Sequence, residues 1–245
     1  MESEIGRLAG RVAIVTGASS GIGRAVALAL SRQQVHLCLV GRNPNTLAET
    51  VAASRQFSKV ASFEIDLTVE ENLKPLYLYL EKEAGRLDIL VHCAGVIHHA
   101  PMERSHIEDF DVQYATNVRA PYVLTQHLLP LLTTSGGQIV FINSSVGLSV
   151  KRPEVGQYAA TKHALKAIAD SLRQEVNPKG IRVLTVYLGR TATPMQEALC
   201  RQEGRVYQPE MLMQPEDVAA VVVQTLMLPG TAEVTDISIR PMIKN

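Results

Sequence analysis

The sequence predicts a three-layer α/β fold. Short apolar runs of strand length alternate along the chain with longer segments of helical periodicity. Most of these runs are apolar on both sides, as expected for strands that helices cover on both faces. Repeated strand–helix units build a parallel sheet because parallel strands need crossover connections. The expected architecture is therefore a doubly wound, Rossmann-like parallel β-sheet of about seven strands with helices on both faces.

The predicted strands are spaced widely enough for a helix between most neighbours. They are Val12–Thr16, Leu37–Val40, Val60–Ile65, Ile89–His92, Ile139–Ile142, Val183–Tyr187 and Val234–Ile239. The predicted helices are Ile22–Gln33, Asn45–Ala53, Val69–Glu83, Ile107–Leu132, Tyr158–Asn177 and Pro215–Leu228. No linker rich in Pro, Gly or Ser interrupts this order, so residues 1–245 are expected to form a single domain.

The stretch Arg190–Gln214 departs from the strand–helix alternation. It follows the sixth predicted strand and has no strong helical period. Long loops at the carboxyl ends of parallel strands commonly carry function. We therefore expect residues 190–214 to cover a substrate, with an irregular surface loop as the alternative.

Composition narrows the class of partner. The 24 basic and 24 acidic residues balance, aromatic residues make up 4% and Trp is absent, which argues against nucleic acid as a partner. The apolar runs are shorter than the about 20 residues of a membrane helix, and residues 1–4 do not resemble a secretory signal. Cys38, Cys93 and Cys200 form no metal-ligand cluster. We expect a cytoplasmic protein that binds no metal, nucleic acid or membrane.

A glycine-rich loop joins the first predicted strand to the first predicted helix. It runs from Thr16 to Gly23 with the spacing G-x-x-x-G-x-G, which differs from the common G-x-G-x-x-G dinucleotide fingerprint. Glycine lets the backbone approach a phosphate, and a helix N-terminus attracts its negative charge. The loop therefore predicts cofactor-phosphate binding by Gly17, Ser19, Ser20, Gly21, Ile22 and Gly23.

The end of the second strand favours NADP(H) as the cofactor. In folds of this kind a carboxylate there binds the adenosine ribose 2′-hydroxyl, whereas Arg accommodates a 2′-phosphate. Gly41-Arg42 supplies a guanidinium and no carboxylate. NAD(H) is the alternative, because Arg42 can also be an ordinary solvated loop residue.

Tyr158 and Lys162 are four residues apart and therefore share one face of a predicted helix. A cation near a phenol stabilises the phenolate and lowers its pKa from about 10, which suits acid–base catalysis. A Y-x-x-x-K pair alone is weak, because chance supplies such pairs. It gains weight from Ser144-Ser145 at the end of the fifth strand and from Asn117, a polar residue inside a predicted helix.

These motifs, in their order along the chain, resemble the short-chain dehydrogenase/reductase family from Arg11 to Pro241. The matching features are the glycine loop, Asp66-Leu67 after the third strand, Ala94-Gly95 after the fourth, Asn117, the serine pair, Tyr158 and Lys162. The resemblance implies a catalytic group of Asn117, Ser145, Tyr158 and Lys162. In this family the catalytic serine usually precedes the tyrosine by about a dozen residues or slightly more. Ser145 is therefore preferred to Ser144, because it precedes Tyr158 by thirteen residues.

The resemblance also implies a role for each catalytic residue. Tyr158 exchanges a proton with the substrate oxygen, and Ser145 donates a hydrogen bond to the same oxygen. Lys162 holds the nicotinamide ribose and lowers the pKa of Tyr158. Asn117 anchors a chain of water molecules that relays protons to Lys162.

Further cofactor contacts follow from the resemblance along the carboxyl ends of the strands. They are Asp66, Leu67, Ala94, Gly95, Gly189, Thr191 and Thr193, together with Tyr158 and Lys162. For Asp66 the alternative is a simple helix N-terminal role. The sequence departs from the family pattern at Cys93, where the family often has Asn, and at Leu188, where it commonly has Pro.

The expected function is that of an NADP(H)-dependent oxidoreductase that transfers hydride between nicotinamide and a small-molecule carbonyl or secondary alcohol. The alternative is a catalytically silent sensor or scaffold that keeps the fold and binds the cofactor. A serine hydrolase is disfavoured because Ser145 does not lie in a G-x-S-x-G turn. The resemblance further implies a homodimer or homotetramer.

Overall fold

The computed structural model describes residues 7–243, so the expectation about residues 1–4 lies outside it. Seven strands form one parallel sheet in the order β3-β2-β1-β4-β5-β6-β7. The strands are β1 (Val12–Thr16), β2 (His36–Gly41), β3 (Val60–Glu64), β4 (Ile89–His92), β5 (Gln138–Ser144), β6 (Arg182–Leu188) and β7 (Asp236–Ile239). The predicted α/β class and parallel sheet are confirmed.

Helices cover both faces of this sheet and make two apolar cores. They are α1 (Gly21–Arg32), α2 (Pro44–Ser54), α3 (Lys74–Tyr79), α4 (Ile107–Tyr114), α5 (Ala120–Ser135), α6 (Gly156–Val176), α7 (Pro194–Gln202) and α8 (Pro215–Leu226). On one face α1, α2 and α8 bury side chains such as Leu30 and Val222. On the other, α3, α5 and α6 bury Leu76, Leu128 and Leu165. The strands between the two layers are buried, whereas edge strands β3 and β7 are only partly covered.

The strand order reverses between β1 and β4, which pair in parallel from Ala13 opposite Ile89. In open parallel sheets, a crevice opens at such a reversal, outside the carboxyl ends of the strands. The loops that follow β1 and β4 meet there. The fold therefore brings the glycine loop and Ala94-Gly95 to one cleft.

The predicted long helix Ile107–Leu132 contains a π-helical turn. Helices α4 and α5 are joined without a break by this turn, Ala115–Arg119. A π-turn inserts one residue into the helical register and often marks a functional site. Asn117 lies within it and is 1% exposed.

The stretch 190–214, whose sequence has no strong helical period, includes the nine-residue helix α7. The hydroxyl of Thr193 caps this helix by accepting from the Gln196 backbone N–H at 3.2 Å. Pro194 follows at the first helical position, where a missing N–H costs nothing. Thr193 and Pro194 favour the start of a helix here, although the helix is too short to show a clear apolar period in the sequence.

Within residues 7–243, no helix has the length and apolarity needed to cross a membrane.

Candidate active site

The glycine loop touches the segment that follows β4 backbone to backbone. Gly17 has a φ of +66°, and a Cβ added to it would lie 2.9 Å from the Ala94 Cα. The hydroxyl of Thr16 accepts hydrogen bonds from the backbone N–H groups of Cys93 at 3.1 Å and Ala94 at 3.2 Å. Thr16 thus fixes the two walls of the cleft, a role that sequence reasoning missed. The signal was a polar residue closing an otherwise apolar strand.

The start of α1 leaves polar groups available to a ligand. Ser20 precedes α1, is exposed, and makes no side-chain capping bond. The Ser19 Oγ is buried against Gly41 and has no hydrogen-bond partner within residues 7–243. Ile22, by contrast, packs against the core. The free serine hydroxyls and the helix N-terminus together suit a bound phosphate.

Gly21 and Gly23 let the loop pack tightly. Gly21 has a φ of +52°, and a Cβ there would meet the Thr193 Cγ2 at 3.0 Å. A side chain on Gly23 would collide with the Gly17 carbonyl oxygen. The N-terminus of α7, with Thr193, therefore lies directly beside the glycine loop.

The far end of the cleft carries Arg42 and Asp66. Arg42 is exposed immediately after β2. The Asp66 carboxylate accepts from the Thr68 backbone N–H at 2.9 Å and from its hydroxyl at 2.7 Å. These bonds, opposed by partial burial and aided by the charge of Arg42, lower the pKa of Asp66. Asp66 stays ionised near Arg42, while Leu67 packs against the core.

Tyr158 lies in the first turn of α6, partly buried, and the Ser144 hydroxyl is close enough to its phenol to lower the pKa of that phenol. Ser144 is the last residue of β5. Ser145, the predicted catalytic serine, starts a 3₁₀ turn and is exposed to solvent. Ser144 and Ser145 differ in exposure because β5 ends between them. Ser144 is therefore the hydroxyl beside the phenol.

Lys162 follows Tyr158 by one helical turn and is 5% exposed. Its Nζ donates to the Ile142 carbonyl at 3.3 Å and lies 5.7 Å from the centre of the Tyr158 ring. Burial lowers the pKa of Lys162 to about 8. Burial also raises the pKa of Tyr158 to about 12, and the nearby Ser144 hydroxyl only partly opposes this. Burial therefore dominates the pKa of Tyr158 in the protein alone, and the lowering of that pKa by Lys162 stays a prediction.

Asn117 ties the loop after β4 to α6. Its side-chain oxygen accepts from the Val96 backbone N–H at 2.9 Å, and its amide donates to the Val96 carbonyl at 2.9 Å. The same amide donates to the Thr161 hydroxyl at 3.1 Å, next to Lys162 in sequence. Gly95 lies against this side chain, where a Cβ would be 3.2 Å from the Asn117 oxygen. Asn117 is thus fully bonded and positions the cleft wall beside Lys162.

The turn after β6 is held from within. The Thr191 hydroxyl donates to the Gly189 carbonyl at 3.3 Å, and the residue is 6% exposed. The Gly189 N–H donates to the Ile239 carbonyl at 2.7 Å. The side chain of Thr191 therefore supports the turn, and its contact with the cofactor stays a prediction.

Comparison with known proteins identifies the family of this chain. The family model of short chain dehydrogenases matches residues 11–204. The chain belongs to this family. It is 33% identical to an uncharacterized oxidoreductase of Staphylococcus epidermidis over 233 residues, 95% of this chain and 97% of that protein.

Two solved dehydrogenases superimpose closely on nearly all of the chain. An alcohol dehydrogenase from the archaeon Thermococcus sibiricus, complexed with 5-hydroxy-NADP, is 25% identical with a TM-score of 0.84 and covers 96% of this chain and 98% of its own. A short chain dehydrogenase from Mycobacterium paratuberculosis, bound to NAD, is 26% identical with a TM-score of 0.84 and covers 96% and 97%. The chain is therefore a short-chain dehydrogenase/reductase, and relatives of its fold bind either nicotinamide cofactor.

Two histidines of this short-chain dehydrogenase, His98 and His99, follow the Ala94-Gly95 segment. His98 lies 3.4 Å from the Asp109 carboxylate on the surface. The His99 side chain is only 4% exposed and lies 2.9 Å from Glu203. Within residues 7–243, no group of three or more His, Cys, Asp or Glu side chains is arranged to hold a metal. His99 is therefore a buried polar group at the mouth of the site, which sequence reasoning did not find.

Proposed function

We propose that this protein is an NADP(H)-dependent oxidoreductase that transfers hydride between nicotinamide and a carbonyl or secondary alcohol, with Tyr158 as the general acid and base. The observation that carries the proposal is the Tyr158 phenol, which lies near the Ser144 hydroxyl and next to the buried Lys162. These residues belong to a fold in which the glycine loop closes one side of the cleft. Membership of the short-chain dehydrogenase family supports the same reaction class.

The cleft fits a nicotinamide dinucleotide. Within residues 7–243 the Ser19 hydroxyl has no hydrogen-bond partner, so it can donate to a phosphate beside the start of α1. Gly17 packs closely against Ala94 and has no side chain to obstruct that phosphate. Arg42 would hold a 2′-phosphate, Asp66 and Leu67 the adenine, and Thr193 the nicotinamide carboxamide. When bound, the cofactor supplies or accepts the hydride.

NADP(H) is favoured over NAD(H) by the charge at the end of β2. Arg42 is exposed there, and the Oδ1 of the nearby Asp66 carboxylate accepts two hydrogen bonds from Thr68, which leaves the Oδ2 for the adenine. A guanidinium favours a 2′-phosphate, and no carboxylate follows β2 to bind a free ribose 2′-hydroxyl. Relatives with either cofactor exist, so this preference depends on Arg42 alone.

The pKa values suit proton donation in the reductive direction. With a pKa raised to about 12, Tyr158 is protonated at neutral pH and can give its proton to an alkoxide as it forms. Ser144 would donate a hydrogen bond to the same oxygen, the role first assigned to Ser145. Lys162, with a pKa lowered to about 8, can return a proton near neutral pH. Asn117 would anchor the water chain that supplies Lys162.

A panel of ketones and aldehydes, each with NADPH and with NADH, tests this proposal through the loss of reduced-cofactor absorbance. We expect turnover of at least one carbonyl, with a higher kcat/KM for NADPH. A strong preference for NADH would overturn the assignment of the cofactor. Tight NADPH binding with no turnover across the panel would favour a cofactor-binding sensor or scaffold.

We also expect a homodimer or homotetramer. Large apolar side chains are exposed along the α4–α5 helix, among them Ile107 at 63%, Val112 at 48% and Tyr122 at 51%. Exposed apolar side chains of this size on one helix suit an interface between subunits. Light scattering that gives only the monomer mass would contradict this expectation.

A further inference from the structure

The segment that covers the site leaves and re-enters the fold at one point. Thr191 and Met213 form a parallel bridge, in which the Ala192 N–H donates to the Met213 carbonyl at 2.8 Å and the Met213 N–H donates to the Arg190 carbonyl at 3.3 Å. Residues 192–212, including α7, therefore form a closed excursion with a fixed base. We call residues 192–212 the cover.

The far end of the cover is bound to two other loops. The Oε1 of Glu203 lies 2.9 Å from the His99 Nδ1, in the loop after β4, and 3.7 Å from Arg152, in the loop before α6. Arg205 pairs with the other oxygen of Glu203. Those two loops are also joined by the Ala100 N–H, which donates to the Glu154 carbonyl at 3.0 Å. The contacts of Glu203 close the cover over the cleft.

The contact between His99 and Glu203 is largely removed from water, whereas the side chains of Arg152 and Arg205 are 45% and 37% exposed. The side chains of His99 and Glu203 are 4% and 18% exposed. A second acidic residue of the cover, Glu197, pairs with Arg201 at 3.4 Å, but those side chains are 49% and 77% exposed. Exposed pairs contribute little, whereas a shielded charge that loses its partners is costly. Glu203 is therefore the carboxylate on which closure depends.

His99 connects Glu203 to the reacting group. Its ring lies edge-on to the Tyr158 ring, with centroids 6.0 Å apart and planes at 64°. A ring nitrogen that donates to a carboxylate cannot also accept from a guanidinium. The Arg152 Nη2, although 2.9 Å from the same Nδ1, is accordingly held by the charge of Glu203. The contact with Glu203 holds His99 in place, and with it the ring that packs edge-on against Tyr158.

We propose that Glu203 is a positioning residue for proton transfer, which latches the cover through His99 and Arg152 and keeps water away from Tyr158. This rests on the proposed function, in which Tyr158 moves the proton. Burial is the largest cause of the raised pKa of Tyr158, so opening the cover should bring that pKa back toward its usual value. The other polar groups near the phenol are Ser144 from β5, Lys162 from α6 and, behind Lys162, Cys93 after β4. A change at Glu203 leaves all three in place.

Glu203→Ala tests the latch, with Glu197→Ala as the matched control from the same segment. Hydrogen exchange measures closure without any assay of activity: we expect faster exchange of residues 199–206 in Glu203→Ala and unchanged exchange in Glu197→Ala. In alcohol oxidation, the pH profile of kcat for Glu203→Ala should move to lower pH by about half a unit or more. Glu203→Gln keeps an acceptor for His99 and should fall between the two.

Several outcomes overturn the proposal. One is hydrogen exchange in Glu203→Ala that matches the Glu197→Ala control. Another is a fall in kcat and melting temperature with an unmoved pH profile, which would make Glu203 merely structural. Full activity of Tyr158→Phe would instead overturn the proposed function, and it would leave the exchange result, and thus the closure, unaffected.

Discussion

Replacing Gly17 by Ala tests whether the glycine loop and the segment that follows β4 are in close backbone contact. Gly17 has a φ of +66°, where an L side chain is strained. Its new Cβ would lie 2.9 Å from both the Cα and the backbone N of Ala94. Ala94 cannot swing aside as a flexible side chain would, because Thr16 accepts a hydrogen bond from its N–H at 3.2 Å. The substitution must therefore strain the loop or break that bond.

Two penalties set the expected magnitude. A left-handed conformation costs a residue other than glycine about 1–2 kcal/mol, and overpacking a tight contact costs about 1–3 kcal/mol. Together they lower the free energy of unfolding by about 2–5 kcal/mol, or about 10 °C in Tm for a chain of this length. Gly180, with a φ of +78° and nothing within 4 Å of an added Cβ, incurs only the first penalty. Gly180→Ala should therefore lower Tm by about 4 °C.

Thermal unfolding of both variants and titration with NADPH supply the measurement. We expect Gly17→Ala to be clearly less stable than Gly180→Ala and to bind NADPH at least about tenfold more weakly, a loss of about 1.4 kcal/mol. Gly180→Ala should bind NADPH as the wild type does. Equal Tm values for the two variants would refute the close contact between the loop and Ala94.

Three further predictions concern the site and its core. Ser144→Ala should lower kcat by about 10²–10³-fold, because it removes a donor to the developing charge, whereas Ser145→Ala should stay within about twofold; equal losses would return the role to Ser145. Arg42→Ala should weaken NADPH binding about tenfold or more and leave NADH binding unchanged, as titration of both cofactors would show. Burial lowers the pKa of His92 to about 3. Below about pH 6.5, His92 is therefore protonated in the unfolded chain but stays neutral in the folded protein. Stability measured by urea unfolding should therefore fall as the pH drops below 6.5, and the slope should weaken in His92→Gln.

The sheet could be predicted from the sequence because its strands are marked by burial on both faces. Val12–Thr16 and Ile89–His92 have the predicted bounds, since each is a continuous apolar run in the middle of the sheet. The edge strand Asp236–Ile239 is shorter than the predicted Val234–Ile239. There, only one neighbour pairs with the strand, so apolar pattern and hydrogen bonding need not end together.

The site could be predicted only as far as the order of its motifs along the chain. Sequence spacing cannot decide which of two adjacent serines faces Tyr158, because that depends on where β5 ends. The contact of His99 with Glu203 spans 104 positions and links two loops without periodicity. The raised pKa of Tyr158 likewise arises from burial, which the tertiary structure creates and a Y-x-x-x-K pattern does not contain.

The most direct test of the central claim is the turnover of Tyr158→Phe, measured together with its affinity for NADPH. Removing the hydroxyl leaves the ring, and with it the packing against His99, in place. If Tyr158 moves the proton, kcat should fall by about 10²–10⁴-fold while the Kd for NADPH stays within about twofold. Turnover near that of the wild type, with NADPH bound, would contradict the account.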